Sequence, residues 1–340
     1  MFHKSVAVWL WVGVAMIFVQ VVLGGITRLT GSGLSITKWD IVTGAIPPLN
    51  EADWSREFIL YKQTPQYQQI NVGMSMEEFK FIYFWEFIHR FWARLIGIVF
   101  LIPFLFFAFN KWLDRALYKD LSIAVLIGAA VAAFGWIMVA SGLVDRPWVS
   151  AYKLTIHLNL ALLLYAWMFW VALGKQSKEP RPDLKRWLNI LSVFIIVQFV
   201  FGGLMSGMKA CLYYPTWPDM HGEIFPKSLI DSSLWTKQSL IEYERGFVPG
   251  LVQFAHRCFA YFICLVAVMI YWKFGRPSSP AHIRLPIQLL LIFVIFQIVL
   301  GILTLINCIG KIPLAYGVAH QAMAILLLSN LIYIQKKIHR

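Results

Sequence analysis

The sequence predicts an all-α polytopic membrane protein, with eight transmembrane helices arranged as two parallel-repeat four-helix bundles. Three observations predict it. Of 340 residues, 59% are hydrophobic and only 14% charged, and the mean hydropathy is +0.66. That leaves too little polar surface for a water-soluble domain. Apolar runs of about twenty residues recur, each long enough to cross a bilayer as a helix. The second half also repeats landmarks of the first, in the same order.

Taken in order, hydropathy places spans near 7–27, 80–108, 120–143, 152–173, 187–206, 249–272, 285–306 and 314–334. The first follows Met1-Phe2-His3-Lys4-Ser5 and lacks a small-x-small cleavage site, so a retained anchor is expected rather than a signal peptide. No Arg- and Ser-rich presequence precedes it, which points to a bacterial origin. The first outer loop, 28–79, has turn chemistry at Gly31-Ser32-Gly33 and Pro47-Pro48. Its segment Glu51 to Lys62 is amphipathic and is expected to lie along the membrane surface. Ser75-Met76-Glu77-Glu78 fits a capping box, so the second spanning helix is expected to start there, outside the bilayer.

Short basic segments alternate with the long loops. They carry Lys111, Arg115 and Lys119; Lys175, Lys178, Arg181, Lys185 and Arg186; Lys273, Arg276 and Arg284; and Lys336, Lys337 and Arg340. Such segments stay on the cytoplasmic side, and an even number of spans then puts both termini there. This accounts for the net charge of +13. No basic module interleaved with base-stacking aromatics is present, so nucleic acid is not an expected partner and the lipid bilayer is.

The repeat defines the organisation. Gly24-Gly25 recurs as Gly202-Gly203, and Trp39, Gly44 and Pro48 recur at the same spacing as Trp217, Gly222 and Pro226. His89 recurs as His256 and His157 as His320. Two halves follow: an N-terminal bundle over 1–174 with outer loop 28–79, and a C-terminal bundle over 175–340 with outer loop 207–248. Each half holds an even number of spans, so the halves share one orientation, with an axis along the membrane normal. Four cysteines are too few and too scattered for a disulfide framework or a zinc site. Cys258 and Cys264 lie in an apolar run and suit packing. Cys211 and Cys308 both fall near the outer side, where an oxidising compartment would let them pair.

The chemistry is carried by Glu86-Phe87-Ile88-His89-Arg90-Phe91-Trp92-Ala93-Arg94, nearly repeated as Gln253-Phe254-Ala255-His256-Arg257-Cys258-Phe259-Ala260. Charged groups beside hydrocarbon are costly and point to function. His89, His157, His256 and His320 each lie about two turns from the outer end of their span. Each bundle can therefore put two imidazoles at one depth, the arrangement for two axial ligands on a haem iron. A hydrogen-bonded polar residue in a bundle is the alternative for any single histidine. Zinc lacks a completing Cys or carboxylate cluster, and copper held by few imidazoles is a weaker fit. His3, His221, His282 and His339 lie in tails or loops and are expected to be solvated.

Arg90, Arg257 and Arg94 suit haem propionates, as guanidinium gives charge-assisted bidentate bonds. Arg28 and Lys38 are further candidates, with snorkelling to headgroups as the alternative. Glu86 is matched by Gln253 in the second half. A carboxylate there can act as acid or base or steady a developing cation, so the N-terminal half is expected to be reactive. A structural Glu86–Arg90 ion pair at i, i+4 spacing is the alternative.

Gly24-Gly25-Ile26-Thr27-Arg28-Leu29-Thr30, Glu86-Phe87-Ile88-His89-Arg90, Gly135-Trp136-Ile137-Met138-Val139, Ser141-Gly142-Leu143 and His320-Gln321 together resemble haem A synthase. The long first loop without a cysteine pair resembles the proteobacterial and mitochondrial branch of that family. The resemblance implies an oxidoreductase that converts the C8 methyl of haem O to the formyl of haem A, with water as oxygen source, for a terminal oxidase. It implies a haem b cofactor on His256 and His320. It also implies substrate near His89 and His157, with Glu86, His89 and His157 catalytic. A bacterial inner membrane is the implied location. The partners this admits are haem O, a haem O synthase, an electron acceptor in the membrane and further copies of the chain. The alternatives are a bis-histidine di-haem electron-transfer cytochrome and a haem transporter. Histidines at one depth argue against the first, and the lack of paired Gly/Pro interruptions near the midplane argues against the second.

Overall fold

The computed structural model describes residues 3–38, 46–143, 147–175, 179–241, 243, 246–277 and 279–338. Trp39 and Gly44 of the repeat, Lys178 and Arg340 of the basic segments, and His339 lie outside the described residues. Among the described residues, eight helices are long and apolar enough to cross a membrane. The structure is that of an all-α, polytopic membrane protein.

In order, the helices are α1 (Lys4–Leu29), α2 (Glu51–Lys62), α3 (Pro65–Gln69), α4 (Met76–Phe109), α5 (Arg115–Ala140), α6 (Ala151–Ala172), α7 (Pro182–Gly207), α8 (Lys237–Ile241), α9 (Phe247–Phe274), α10 (Ala281–Ile306) and α11 (Leu314–Ile338). All but α2, α3 and α8 are the spans. Their ends follow local chemistry. Ser75 and Glu78 form the expected capping box, so α4 starts well before its apolar run. Asp114 accepts the Leu117 N–H and starts α5. Pro182 opens α7, where a missing N–H costs nothing. Gly246, at φ 85°, turns the chain into α9 in a conformation most side chains resist.

The chain falls into two compact units, His3–Leu164 and Tyr165–Arg340. The division lies inside α6, some residues before the linker at 174–175. The inner end of α6 belongs with the second unit because Tyr165 Oη bonds Ser329 Oγ at 2.8 Å and Lys336 Nζ sits 4.0 Å from the Trp170 ring centre.

In the first unit α1 packs on α4. Trp92 Nε1 donates to the Met16 carbonyl at 2.9 Å. Trp9 Nε1 donates to the Val99 carbonyl at 2.9 Å. The second bond answers a specific need, because Pro103 lies inside α4 and cannot donate to the carbonyl four residues back, which is Val99. Outside the spans, Phe58 and Tyr61 of α2 are buried against Phe79 and Tyr83 of α4. The aromatic residues of α2 are thus committed to protein, while Ile59 stays exposed. Burial raises the Tyr61 phenol above its ordinary pKa, and its oxygen accepts from Asn71 Nδ2 at 2.6 Å.

In the second unit α7 packs on α9, and α10 packs on both α9 and α11. Leu188, Leu191, Ile270, Ile287 and Leu290 are buried in its core. Cys211, in a short 3₁₀ turn after α7, is disulfide-bonded to Cys308, just past α10. Both sulfur-bearing residues are buried. Cys258 and Cys264 are free thiols within α9.

Candidate functional site

In the first unit α4 carries Glu86, His89, Arg90 and Arg94, and α6 carries His157. Residues three and four apart share a helix face, so Glu86 and Arg90 flank His89 along one side. Glu86 is 2% exposed. Its Oε2 accepts from Ser35 N at 2.7 Å, Ser35 Oγ at 2.6 Å and Ile36 N at 2.9 Å. Its Oε1 accepts from Arg90 Nη2 at 2.5 Å. Arg90 also donates to the carbonyls of Ile36 and Lys38, at 3.1 and 3.2 Å. Carboxylate and guanidinium together fasten the outer segment around Ser35 to the mouth of the bundle. Arg94 is half-buried one turn further in.

The second unit repeats the device with other groups. Gln253 is fully buried, and its Nε2 donates to the Tyr214 carbonyl at 2.8 Å. Arg257 donates to the carbonyls of Thr216 at 2.7 Å and Asp219 at 2.8 Å, and more weakly to those of Tyr214 and Pro218. A hydrogen bond from the Gly222 N–H, with further help from Thr216, holds the Asp219 carboxyl below its ordinary pKa. The donors of Arg90 and Arg257 that face the outer loops are thus largely occupied by backbone carbonyls of those loops.

The four histidines of the repeat share one kind of seat. Each lies against a glycine of a neighbouring helix. A Cβ on Gly24 would stand 3.2 Å from His89 Nε2. On Gly135 it would be 3.0 Å from His157 Cε1, on Gly202 3.7 Å from His256 Cε1, and on Gly301 3.0 Å from His320 Cε1. The ring centroids of His256 and His320 lie 6.5 Å apart, with the ring planes inclined at 64°. A metal–imidazole bond is about 2 Å long on each side, so this gap takes one metal ion. His89 and His157 lie within electrostatic range of each other.

The ring nitrogens are also ordered for ligation. His157 Nδ1 lies 3.0 Å from the Val131 carbonyl, and His320 Nδ1 lies 3.0 Å from the Gln297 carbonyl. A carbonyl only accepts, so Nδ1 carries the proton and Nε2 presents its lone pair, which is how an outer partner orients a metal-binding imidazole. At His256, Gln198 Nε2 lies 3.3 Å from Nε2 and donates to the His256 carbonyl at 3.0 Å. An amide nitrogen only donates, so this Nε2 is an acceptor too. Among the described residues no group of three or more His, Cys, Asp or Glu side chains gathers for a protein-built metal cage. Paired imidazoles with glycine backing and apolar walls fit a haem once the Gln198 and Gln297 amides turn away from the Nε2 lone pairs of His256 and His320.

Sequence reasoning missed the residues around the histidines. Gln20, Gln198 and Gln297 stand four residues before Gly24, Gly202 and Gly301, and their amides reach the histidines or their backbone. A polar side chain at a fixed distance before a repeated glycine was the available signal. Ser35, which takes up Glu86, left none.

A family model described as COX15-CtaA, cytochrome oxidase assembly protein, matches residues 7–332. A protein of Nitrosospira multiformis named Heme A synthase is 41% identical over 347 residues, covering 99% of this chain and 94% of its own. One of the same name from Paramagnetospirillum magneticum is 43% identical over 336 residues, covering 96% and 92%. Another from Flavobacterium psychrophilum is 40% identical over 338 residues, covering 97% of each. With the match running through all four histidine-bearing spans, the chain belongs to the COX15-CtaA family of cytochrome oxidase assembly proteins.

Proposed function

We propose that the chain is an oxidoreductase that converts haem O to haem A, oxidising the C8 methyl to a formyl group with oxygen drawn from water. The observation that carries this reading is the pair of imidazoles at His256 and His320, set one metal ion apart and matched by a second pair at His89 and His157. The His256–His320 pair would hold haem b, and the His89–His157 pair the substrate. Haem b, when bound, supplies one-electron iron chemistry.

The chain's own residues do the rest. His157 and His320, with Nδ1 tied to carbonyls, hold fixed ring planes. Glu86 and Arg90 hold the segment around Ser35 over the His89 end and limit the entry of water there. Glu86 would serve as the acid or base of this reading from within its network of four donors. Arg94 lies on the same face, one turn below Arg90, and would meet a propionate with its charge. Arg90 and Arg257 act on propionates through donors beyond those on the loops.

The basic loops support a reading in which both termini lie in the cytoplasm of a bacterial inner membrane. The Cys211–Cys308 bond, beside the end of α10 that carries Gly301, supports an oxidising compartment at the histidine end. A haem O synthase and a membrane electron acceptor are the natural partners, and homo-oligomers are compatible with the fold.

Pigment analysis tests the reading. Purified protein, produced beside a haem O source, should yield haem A or its alcohol and aldehyde intermediates on extraction and mass measurement. Haem b alone, under aerobic conditions with substrate supplied, would favour an electron carrier instead.

A further inference from the structure

Two imidazoles can hold an iron, but they leave the porphyrin free to turn about the axis between them. Oxidation at one methyl requires a contact at the ring edge that stops this rotation. In haem O the C8 methyl shares its pyrrole ring with one propionate. A cation that takes this propionate therefore also places the methyl.

Lys153 stands where such a cation would act. It lies in the first turn of α6, four residues before His157, and so shares the His157 face about one turn further out. Glu86 stands three residues before His89 in α4, again about one turn out. The two histidines lie within electrostatic range of each other, so the carboxylate and the ammonium belong to the same outer level of the first unit. Lys153 is half-buried, and among the described residues no carboxylate pairs with it. Its local setting opposes a cation, because the first turn of a helix is the positive end of the dipole. Helix chemistry alone gives no reason for a lysine here.

The repeat supplies a comparison. Arg94 lies five residues inward of His89 and is half-buried. At the spacings that relate the histidines, Lys153 corresponds to Tyr316 and Arg94 to Tyr261. The unit that would keep its haem has a phenol at both places. The unit that would oxidise one has a cation at both.

We propose that Lys153 is a substrate-binding residue that takes the propionate on the pyrrole ring bearing the C8 methyl, and so sets that methyl at the level of Glu86. The inference deepens the haem O reading above and rests on it. The second propionate is left to Arg94, on the inner side of His89.

The test is a titration of purified protein with haem O and with haem O dimethyl ester, whose propionates carry no charge, each followed by absorption. Lys153→Gln should weaken haem O binding about tenfold and leave the ester unchanged, and Lys153→Arg should restore haem O. An equal loss for both ligands, or no loss, overturns the proposal. Lys153→Gln also removes a charge that opposes the α6 dipole, so the melting temperature should not fall. A fall, with both ligands lost, assigns Lys153 to packing and overturns the proposal too. At saturating haem O the glutamine variant should form the alcohol intermediate more slowly, because the ring can turn; full turnover there overturns the orienting role. A parent that binds no haem O rejects the haem O reading itself, and the proposal with it.

Discussion

Glu86 accepts hydrogen bonds from Ser35 N, Ser35 Oγ, Ile36 N and Arg90 while almost wholly buried. Replacing it with glutamine leaves one oxygen for these donors and turns an amide N–H₂ toward others, with the Arg90 charge no longer matched. Breaking such a buried pair costs about 3–5 kcal/mol. Glu86→Gln should therefore lose turnover, keep the haem on His256 and His320, and expose the segment around Ser35 to proteolysis. Lost turnover with unchanged protease resistance would instead mark the carboxylate as a proton-transfer group alone. That distinction was not legible in the sequence. Glu86 and Arg90 were visible as a helix pair, but Ser35 is about fifty positions away and carries nothing to announce it.

The spans were the most legible elements, because twenty apolar residues in a row have few other fates. The capping box at Ser75 was also legible, since its partners are three residues apart. Contacts between elements were less so. Cys211 and Cys308 are separated by 97 positions, and only the fold brings the turn after α7 to the end of α10. Cross-links that close long loops typically add about 2–4 kcal/mol. The Cys211→Ser, Cys308→Ser double variant should lose its low-spin haem absorption at a lower temperature than the parent, and a reducing agent should lower the parent's melting point by a similar amount. Equal melting of all forms would show that the bond adds nothing to the second unit. Part of the bonding of the arginines was hidden for the same reason of distance. Arg90 and Arg257 follow their histidines in sequence, yet carbonyls some forty to fifty residues away take many of their donors.

At the scale of the whole chain, the repeat was readable from glycines and histidines at matching spacings, while the division inside α6 was not. Hydropathy marks where a helix leaves the membrane and is silent on which neighbours its inner turns choose. Each unit contains its own pair of imidazoles with its own glycine backing. Sites without shared partners behave additively. His256→Ala should strip the resident low-spin haem while haem O supplied in excess is still retained. His157→Ala should do the reverse, and the double variant should be colourless. Loss of all pigment in either single variant would contradict two self-contained sites.

The bond from Trp9 to the Val99 carbonyl also bears on biogenesis. A carbonyl bared by Pro103 has no water to turn to once it enters lipid. The second spanning helix therefore leaves the translocon with a defect that only the first can mend. Insertion of the pair should proceed as a hairpin, with the anchor held at the exit until its successor arrives, and removing the indole should leave newly made chains open to quality-control proteolysis.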